Sequence, residues 1–498
     1  MSDQDPQTDQ DQAVSSAPSA EVDASETGSA GLGGRDIGAS VGGGGLAPDG
    51  SIPGSEDKAG GPGASAAPAA KAPAKAKSPV IEFFTNRFNT AMEKREFHAA
   101  IKAVNDVMLA GGADQVAMDN LARSLLMGYM PAAAMMVLEW AIEKFPQSPR
   151  LLFRLAITQT ELGQLDRAVE LFDKAIQLNP KPPEFHMGLS DALLLKGDWA
   201  RGLTEYEWRY EIMHGRKILE PFSDARWHGE PAKGKRILVY GEQGYGDTFQ
   251  FCRYLPMVKA LGADLTFGVS PELKSVVSGV AGPDRITTTI PPHDAYDYHS
   301  PVSSLPRVLG TRIDTIPGDV PYIKVDPARA ATWKARLESI PRPRVALTWA
   351  GRPTHPRNHN RSISLDKFEV LAPLGPFLSV SPVRHSKSEL SARGSRIKIR
   401  EFGSRLRDFA DTAALMQQID LLITVDTSVA HLAGALARPV WALIPHNPDW
   451  RWQLGRTDTP WYPTMRLYRQ QIPGEWDQTI NQVARDLAAW KQRWVKGS

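Results

Sequence analysis

The sequence predicts a disordered tail, an all-α superhelix of repeats and an α/β region of two Rossmann-like halves. We place these regions at residues 1–79, 80–215, 216–330 and 331–498. Two observations carry this prediction. Small and apolar residues recur every 34 positions in the second region, which is typical of a helical solenoid. Short apolar segments in the last two regions lead directly into glycine-rich or hydroxyl-rich turns and then helices, the order that builds parallel sheets.

The composition of the tail and of the whole chain excludes several classes of protein. Residues 1–79 are rich in Gly, Ala, Ser, Pro and Asp, a composition that cannot bury enough apolar surface to offset chain entropy. The formal net charge of +2 gives no reason to expect nucleic acid as a partner. No secretory signal or membrane span is recognised, and the single cysteine, Cys252, excludes an internal disulfide. We therefore expect a cytoplasmic protein in which Cys252 is a buried structural thiol.

The helical region has the period and the residue types of tetratricopeptide repeats. Its best copy spans residues 149–180, with Gly163 at the turn between two helices. Such arrays form concave grooves that bind peptides or helices. We predict that this groove binds a protein partner; the alternative is that the helices only support the next domain. The residues that repeat at one slot are Ala100, Ala134, Ala168 and Gly202, and those at another are Val104, Leu138, Phe172 and Tyr206.

The first α/β half opens with a strand at 236–240 and the glycine-rich loop 241–247. A helix is expected over 248–261 and a second strand over 263–269. The glycine spacing is not the GxGxxG of dinucleotide-binding proteins, and no acidic residue completes that fingerprint. This excludes a dehydrogenase. Residues 321–325 are expected to form an edge strand before the linker.

The second half is expected to place strands at 344–349, 377–380, 421–425 and 440–444, with a last helix over 476–494. Asp426, Thr427 and Ser428 follow the third of these strands and offer side-chain oxygens to cap a helix. A helix N-terminus at the carboxyl edge of a parallel sheet is suited to phosphate. His431 lies one turn into that helix, which favours a binding site over the alternative of an ordinary capped helix.

From about residue 80 onward, the chain resembles bacterial proteins that join tetratricopeptide repeats to a heptosyltransferase-like GT-B glycosyltransferase domain, including flagellin glycosyltransferases. Four blocks carry the resemblance: 241–256, 347–365, 408–441 and 448–463. It implies a GT-B fold with the acceptor side in the first half and the donor side in the second. It also implies transfer of a sugar from a nucleotide-sugar, without a metal or another cofactor.

The resemblance assigns the acceptor-side base to Asp247, supported in its loop by Gly241, Gly244 and Gly246. The chemistry agrees, since a hydroxyl acceptor needs a carboxylate to take its proton as the new bond forms. The alternative is that Asp247 only caps the following helix.

The same resemblance assigns the donor site to five residues: Asp426, Thr427, Ser428, His431 and Arg361. Arg361 stands where related enzymes often have a lysine, and a guanidinium suits a phosphate; the alternative is an ordinary surface arginine. Trp450, Arg451 and Trp452 form an aromatic and cationic cluster that either flanks the donor or, as we prefer for the tryptophans, lies in the core. Close relatives have Gln where Ser381 stands, which leaves the donor and the activity open.

We predict transfer of a sugar to a Ser or Thr hydroxyl of a protein that the repeat array selects. The most specific candidate reaction has flagellin as its acceptor and a nonulosonic acid carried on CMP as its donor. One alternative is a non-catalytic scaffold or chaperone with a degenerate transferase domain. The other is a transferase of envelope glycan assembly with a saccharide acceptor.

Overall fold

The computed structural model describes residues 115–215, 225–242, 244–352, 358–380 and 396–497, together with Phe222 and eight single residues between 86 and 106. The expected disordered tail and Ser381 lie outside the described residues. No helix in the described ranges is both long enough and apolar enough to cross a membrane. The domain boundaries drawn from the sequence stay predictions.

The repeat array consists of antiparallel helices whose small residues allow close crossing. Ser148 begins one helix by accepting a hydrogen bond from Leu151 N–H, and Pro149 occupies its first turn. A Cβ at Gly188 would lie 2.5 Å from Phe172 Cε1, so glycine is required where these helices meet. The helices are α1 Gln115–Met127, α2 Pro131–Lys144, α3 Pro149–Glu161, α4 Leu165–Leu178, α5 Pro183–Lys196, α6 Trp199–Glu205 and α7 Arg209–Gly215, with a 3-10 turn Tyr206–Trp208 before α7.

The first α/β half contains a parallel sheet with the strand order β3-β2-β1-β4. Cys252 is buried, as expected, and burial raises the pKa of its thiol to about 12. The elements are β1 Arg236–Tyr240, α8 Tyr245–Phe251, α9 Leu255–Ala260, β2 Asp264–Gly268, α10 Pro271–Val277, β3 Arg285–Thr287, β4 Tyr298–Pro301 and α11 Leu305–Val308.

The second half contains a parallel sheet with the order β10-β9-β8-β5-β6-β7. Its central strand β8 is buried on both faces, in agreement with its apolar sequence. The elements are α12 Pro327–Leu337, β5 Val345–Thr348, α13 Asn358–Arg361, a 3-10 segment Leu365–Leu374, β6 Phe377–Ser379, β7 Ile399–Glu401, α14 Phe409–Met416, β8 Leu421–Val425, α15 Ser428–Ala435, β9 Val440–Ile444, a 3-10 turn Trp450–Trp452, β10 Met465–Arg469 and α16 Asp477–Gly497.

The edge strand expected at 321–325 is wrong. This segment forms no strand, because Tyr322 and Ile323 instead donate their N–H groups to the carbonyl of Ala435 at the end of α15. The linker therefore joins the second half through a helix end and not through a sheet edge. The rest of the predicted architecture, a helical repeat region followed by two α/β halves with parallel sheets, is confirmed for the described residues.

The last repeat packs into the same hydrophobic core as both α/β halves. Trp199 is buried, and its ring centroid lies 5.7 Å from that of Trp450 and 5.8 Å from that of Trp461. At the other end of the array, Tyr129 Oη donates to the carbonyl of His359 at 3.3 Å. The array therefore contacts the transferase region at both of its described ends.

Candidate active site

Two helix N-termini face each other where the two halves meet. In the first half, β1 leads through the glycine-rich loop into α8, and in the second half β8 leads into α15. A Cβ at Gly246 would lie 2.9 Å from His431 Cδ2 and 3.5 Å from Ser428 Cα. The absence of a side chain at Gly246 thus allows the two helix ends to approach closely.

The other two glycines of the loop differ in what surrounds them. A Cβ at Gly241 would lie 2.8 Å from Thr248 Oγ1, so that position has no room for a side chain. A Cβ at Gly244 would meet Asp247 Oδ2 at 3.5 Å, an ordinary contact. Close packing therefore requires glycine at two of the three positions predicted to support the loop.

Asp247 lies in the first turn of α8 with both carboxylate oxygens engaged. Oδ2 accepts from Gly244 N–H at 3.0 Å, and Oδ1 accepts from Arg451 Nη2 at 2.6 Å. The side chain keeps 15% of its surface exposed. The capping contact considered as an alternative is therefore present, and the role of Asp247 as base stays a prediction.

Arg451 is the residue whose importance the sequence did not reveal. It belongs to the second half, yet its guanidinium bonds Asp247 and Gln250 of α8. Its Nη1 also donates to both oxygens of Asp449, at 2.9 and 3.0 Å. The aromatic and cationic pattern around Trp450 was visible in the sequence, but the partner across the cleft was not.

Thr427 is the N-cap residue of α15, but its hydroxyl does not cap the helix. The residue has extended backbone, and its side chain accepts no hydrogen bond from the first turn. Thr427 is only 8% exposed, and its Oγ1 has no hydrogen-bond partner among the described residues. Buried hydroxyls normally find a partner. The Thr427 hydroxyl lies without a described partner beside the backbone N–H groups of a helix N-terminus. It is therefore placed to donate a hydrogen bond to a ligand with acceptor oxygens.

His431 is buried behind this helix end and is neutral at physiological pH. Burial, and to a lesser extent the nearby Arg451 guanidinium, lower its pKa to about 3. Its Nδ1 is hydrogen-bonded to Tyr462 Oη at 3.0 Å, and its ring stacks on Trp452 at 5.2 Å. Its Nε2 lies 3.9 Å from Asp426 Oδ1. His431 can therefore contribute hydrogen bonds and shape to the site, but not a positive charge.

Arg361 lies at the end of α13, half-buried on the side of the cleft that holds Asp426. Burial lowers the pKa of Arg361, and the carboxylates of Asp426 and Asp449 oppose that shift. Burial also raises the pKa of Asp426, which Arg361 opposes. The Arg361 Nε is buried without a hydrogen-bond partner among the described residues. The structure thus places Arg361 in the electrostatic neighbourhood of the α15 N-terminus.

Glu242, the other carboxylate of the glycine-rich loop, is paired with an arginine of the repeat array. It is buried and accepts from Arg209 Nε at 2.8 Å. Burial raises its pKa, and Arg209 opposes that shift. The same arginine donates to Ser304 Oγ at 2.6 Å and to Glu207 Oε1 at 2.8 Å. Glu242 therefore joins the last repeat to the loop.

Two regions of the chain match known families. Residues 125–187 match the tetratricopeptide repeat family, and residues 393–472 match glycosyltransferase family 9, the heptosyltransferases. The chain therefore combines a segment that matches tetratricopeptide repeats with a segment that matches the heptosyltransferase family. The enzyme class predicted from the sequence, a glycosyltransferase, is thereby confirmed. In the described residues, no three His, Cys, Asp or Glu side chains form a group that could hold a metal ion; the metal-independent mechanism stays a prediction.

The chain is similar to one curated protein over most of its length. Protein FlbA of Caulobacter vibrioides is 26% identical over 446 residues, which cover 80% of this chain and 72% of that protein. A family 9 glycosyltransferase from Veillonella parvula is 10% identical, with 52% of this chain and 99% of that chain covered and a TM-score of 0.38. The ADP-heptose lipopolysaccharide heptosyltransferase II of E. coli is 13% identical, with 51% and 98% covered and a TM-score of 0.34.

Proposed function

We propose that this glycosyltransferase takes its sugar from a nucleotide-sugar bound at the N-terminus of α15 and transfers it to a hydroxyl group of a protein. The observation that carries the proposal is the unbonded Thr427 hydroxyl. It is buried, it lies at the first turn of a helix at the carboxyl edge of a parallel sheet, and it has no described partner. A phosphate oxygen of the donor would accept from it and from the neighbouring backbone N–H groups.

The leaving phosphate is the second requirement of this reaction. As the bond from the sugar to the phosphate breaks, negative charge develops on the departing oxygen. The helix dipole and the Arg361 guanidinium stabilise that charge without a metal. The neutral His431 holds the helix end in place through Tyr462.

Asp247 is the proposed base on the acceptor side. An ionised carboxylate offers about four lone-pair directions, of which Gly244 and Arg451 use two. A further direction is open to the acceptor hydroxyl, whose proton passes to Asp247 as its oxygen bonds the sugar. The side chain is partly exposed, which leaves access to it.

The repeat array is proposed to select the acceptor protein, because such grooves bind peptide segments. Flagellin carrying Ser or Thr acceptors, and a nonulosonic acid linked to CMP, are the sharpest candidates, supported by the resemblance to flagellin glycosyltransferases. We place the reaction in the cytoplasm on the same ground.

One observation favours a second candidate, a scaffold without turnover. Both oxygens of Asp247 are held by the protein itself, which is the arrangement expected of a purely structural cap. In that case the array would bind its partner and the α/β region would only support the array.

Calorimetry separates these candidates. We expect the purified protein to bind one of the sugar conjugates of CMP, UDP, GDP and ADP. Folded protein that binds none of them would favour the scaffold. Mass spectrometry of flagellin and of surface glycans from a deletion strain then identifies the acceptor. Loss of a glycan from surface polysaccharide with flagellin unchanged would contradict the protein acceptor.

A further inference from the structure

We propose that Arg451 is a positioning residue for the transfer reaction, which holds the Asp247 carboxylate in the orientation that accepts a proton. This inference rests on the proposed function. Arg451 comes from the second half, whereas Asp247 belongs to the first. The residue thereby fixes the acceptor-side carboxylate relative to the donor-side helix.

The geometry of the guanidinium supports this role. Each of its three nitrogens has its own partner: Nη2 bonds Asp247 at 2.6 Å, Nε bonds Gln250 at 2.9 Å and Nη1 bonds Asp449. The rigid fork of arginine makes these three bonds in fixed directions, which a lysine ammonium on a flexible stem cannot do. Asp247 Oδ1 is therefore held from one side and Oδ2 from the other by Gly244 N–H.

The charges around Arg451 are consistent with a carboxylate that is held in place and can still accept a proton. Asp449 accepts two hydrogen bonds from the Arg451 guanidinium, whereas Asp247 accepts one from it. A single positive charge is thus divided between two carboxylates. Asp247 keeps part of its negative charge uncompensated, which a base needs, while its orientation stays fixed.

The position of Arg451 is itself set by the repeat array. Its neighbour Trp450 is buried against Trp199 and Tyr206, with ring centroids 5.7 and 5.9 Å away. The Arg451 guanidinium also lies 4.6 Å from the Trp450 ring. The last repeat therefore supports the segment that orients Asp247.

A second arginine joins the halves independently. Arg253 of the first half donates to the carbonyl of Trp461 at 2.8 Å and to Tyr322 Oη at 2.9 Å. The junction therefore does not depend on Arg451 alone. A variant at Arg451 should change the carboxylate more than the association of the halves.

The test measures kcat and KM for release of free nucleotide from CMP-, UDP-, GDP- and ADP-linked sugars in the presence of unmodified flagellin as the acceptor. For Arg451→Gln we expect a loss of rate of about 100-fold, as is typical when a reacting group is misplaced by about 1 Å. The loss should appear in kcat and not in the KM for the nucleotide-sugar, because Arg451 acts through Asp247 on the acceptor side. Arg451→Lys keeps the charge but not the planar fork, so its kcat should fall as well.

Arg456→Gln is the matched control. Arg456 follows in the same segment and forms a bidentate pair with Asp458 at 2.9 and 2.7 Å, which is away from Asp247. This variant should keep both the kcat and the KM of the wild type. If Arg451→Gln melts far below the wild type, the kcat of Arg451→Lys is the measurement that decides. A purely structural role would leave the rate of folded Arg451→Lys unchanged.

The outcomes are distinct. If the wild type releases nucleotide and folded Arg451→Gln does so with the same kcat and KM, the positioning role is overturned and the proposed function is left intact. No release from any sugar conjugate by folded wild type overturns the proposed function, and with it this inference.

Discussion

The two helix ends that meet at the cleft satisfy their polar groups in opposite ways. At α8, the helix's own Asp247 accepts from Gly244 N–H, and Arg451 occupies the other oxygen. At α15, the N-cap Thr427 keeps a buried hydroxyl without a described partner. Both follow a parallel strand, so position alone does not make a binding site. The difference indicates that the end of α15, with a hydroxyl that has no described partner, is suited to bind a ligand. The end of α8 is suited to hold the Asp247 carboxylate in place.

The largest expected effect comes from Asp247→Asn. If the carboxylate is the base, its loss should lower the rate of transfer by about 100- to 10,000-fold. Asparagine can still accept from Gly244 N–H, although it weakens the pair with Arg451, so we expect only a moderate fall in melting temperature. Donor affinity, measured by calorimetry, should stay near that of the wild type. Near-normal transfer by this variant would mean that Asp247 only caps α8 and is not the base.

His431 should make the region behind α15 sensitive to acid. Its pKa falls from 6.5 to about 3 on folding, so the unfolded chain binds more protons between these pH values. The free energy of unfolding should therefore rise with pH from about 3 to 6.5 and lose this contribution as the pH falls. The groups that face the ring are Arg451, Asp247, Asp449, Arg253 and Asp426.

Thermal melting of wild type and His431→Gln across this pH range measures that contribution. The variant should show the smaller dependence on pH. Equal dependence in both proteins would mean that other groups cause the acid sensitivity.

Gly246→Ala should push the two helix ends apart. The new methyl group would lie 2.9 Å from His431 Cδ2, and such overpacking costs about 1–3 kcal/mol. Gly244→Ala is the matched control in the same loop, since its Cβ would make an ordinary contact. We expect a lower melting temperature and weaker donor binding for the first variant and little change for the second. The same result for both would show that the approach of the helices is not tight.

Thr427→Val should have the smallest effect and the most specific one. Removing a hydroxyl that bonds no described group should leave stability near the wild type, while donor affinity falls by about tenfold, the value of one good hydrogen bond. Thr424→Val is its control, because Thr424 Oγ1 donates to the carbonyl of Val425 at 2.8 Å. That variant should lose stability and keep affinity. A reversed pattern would place the ligand away from α15.

Local patterns were enough to predict most of the fold. The strand β8 and the helix after it follow from an apolar run and three residues with side-chain oxygens, and the array follows from its period of 34. Short strands such as β7 and β4 were missed, because three or four residues carry too little pattern. The segment 321–325 looked like a strand, but its N–H groups bond a helix end.

The sequence predicted only those features of the site that arise within one short segment of the chain. Thr427 stands out because it follows a strand, but the absence of a bond to its hydroxyl depends on the folded geometry. Arg451 and Asp247 are 204 residues apart, and no spacing rule joins them. The same holds for Tyr462, which bonds His431 from 31 residues away. Contacts between halves are set by tertiary packing, to which a single sequence gives no direct access.

The pair between Arg209 and Glu242 has a consequence for the order in which the chain is made. Synthesis proceeds from the N-terminus, and domains generally fold as units in that order. The arginine at the end of the array therefore leaves the ribosome before the buried glutamate that it neutralises. An array that is already folded offers the emerging loop a finished partner for its charge.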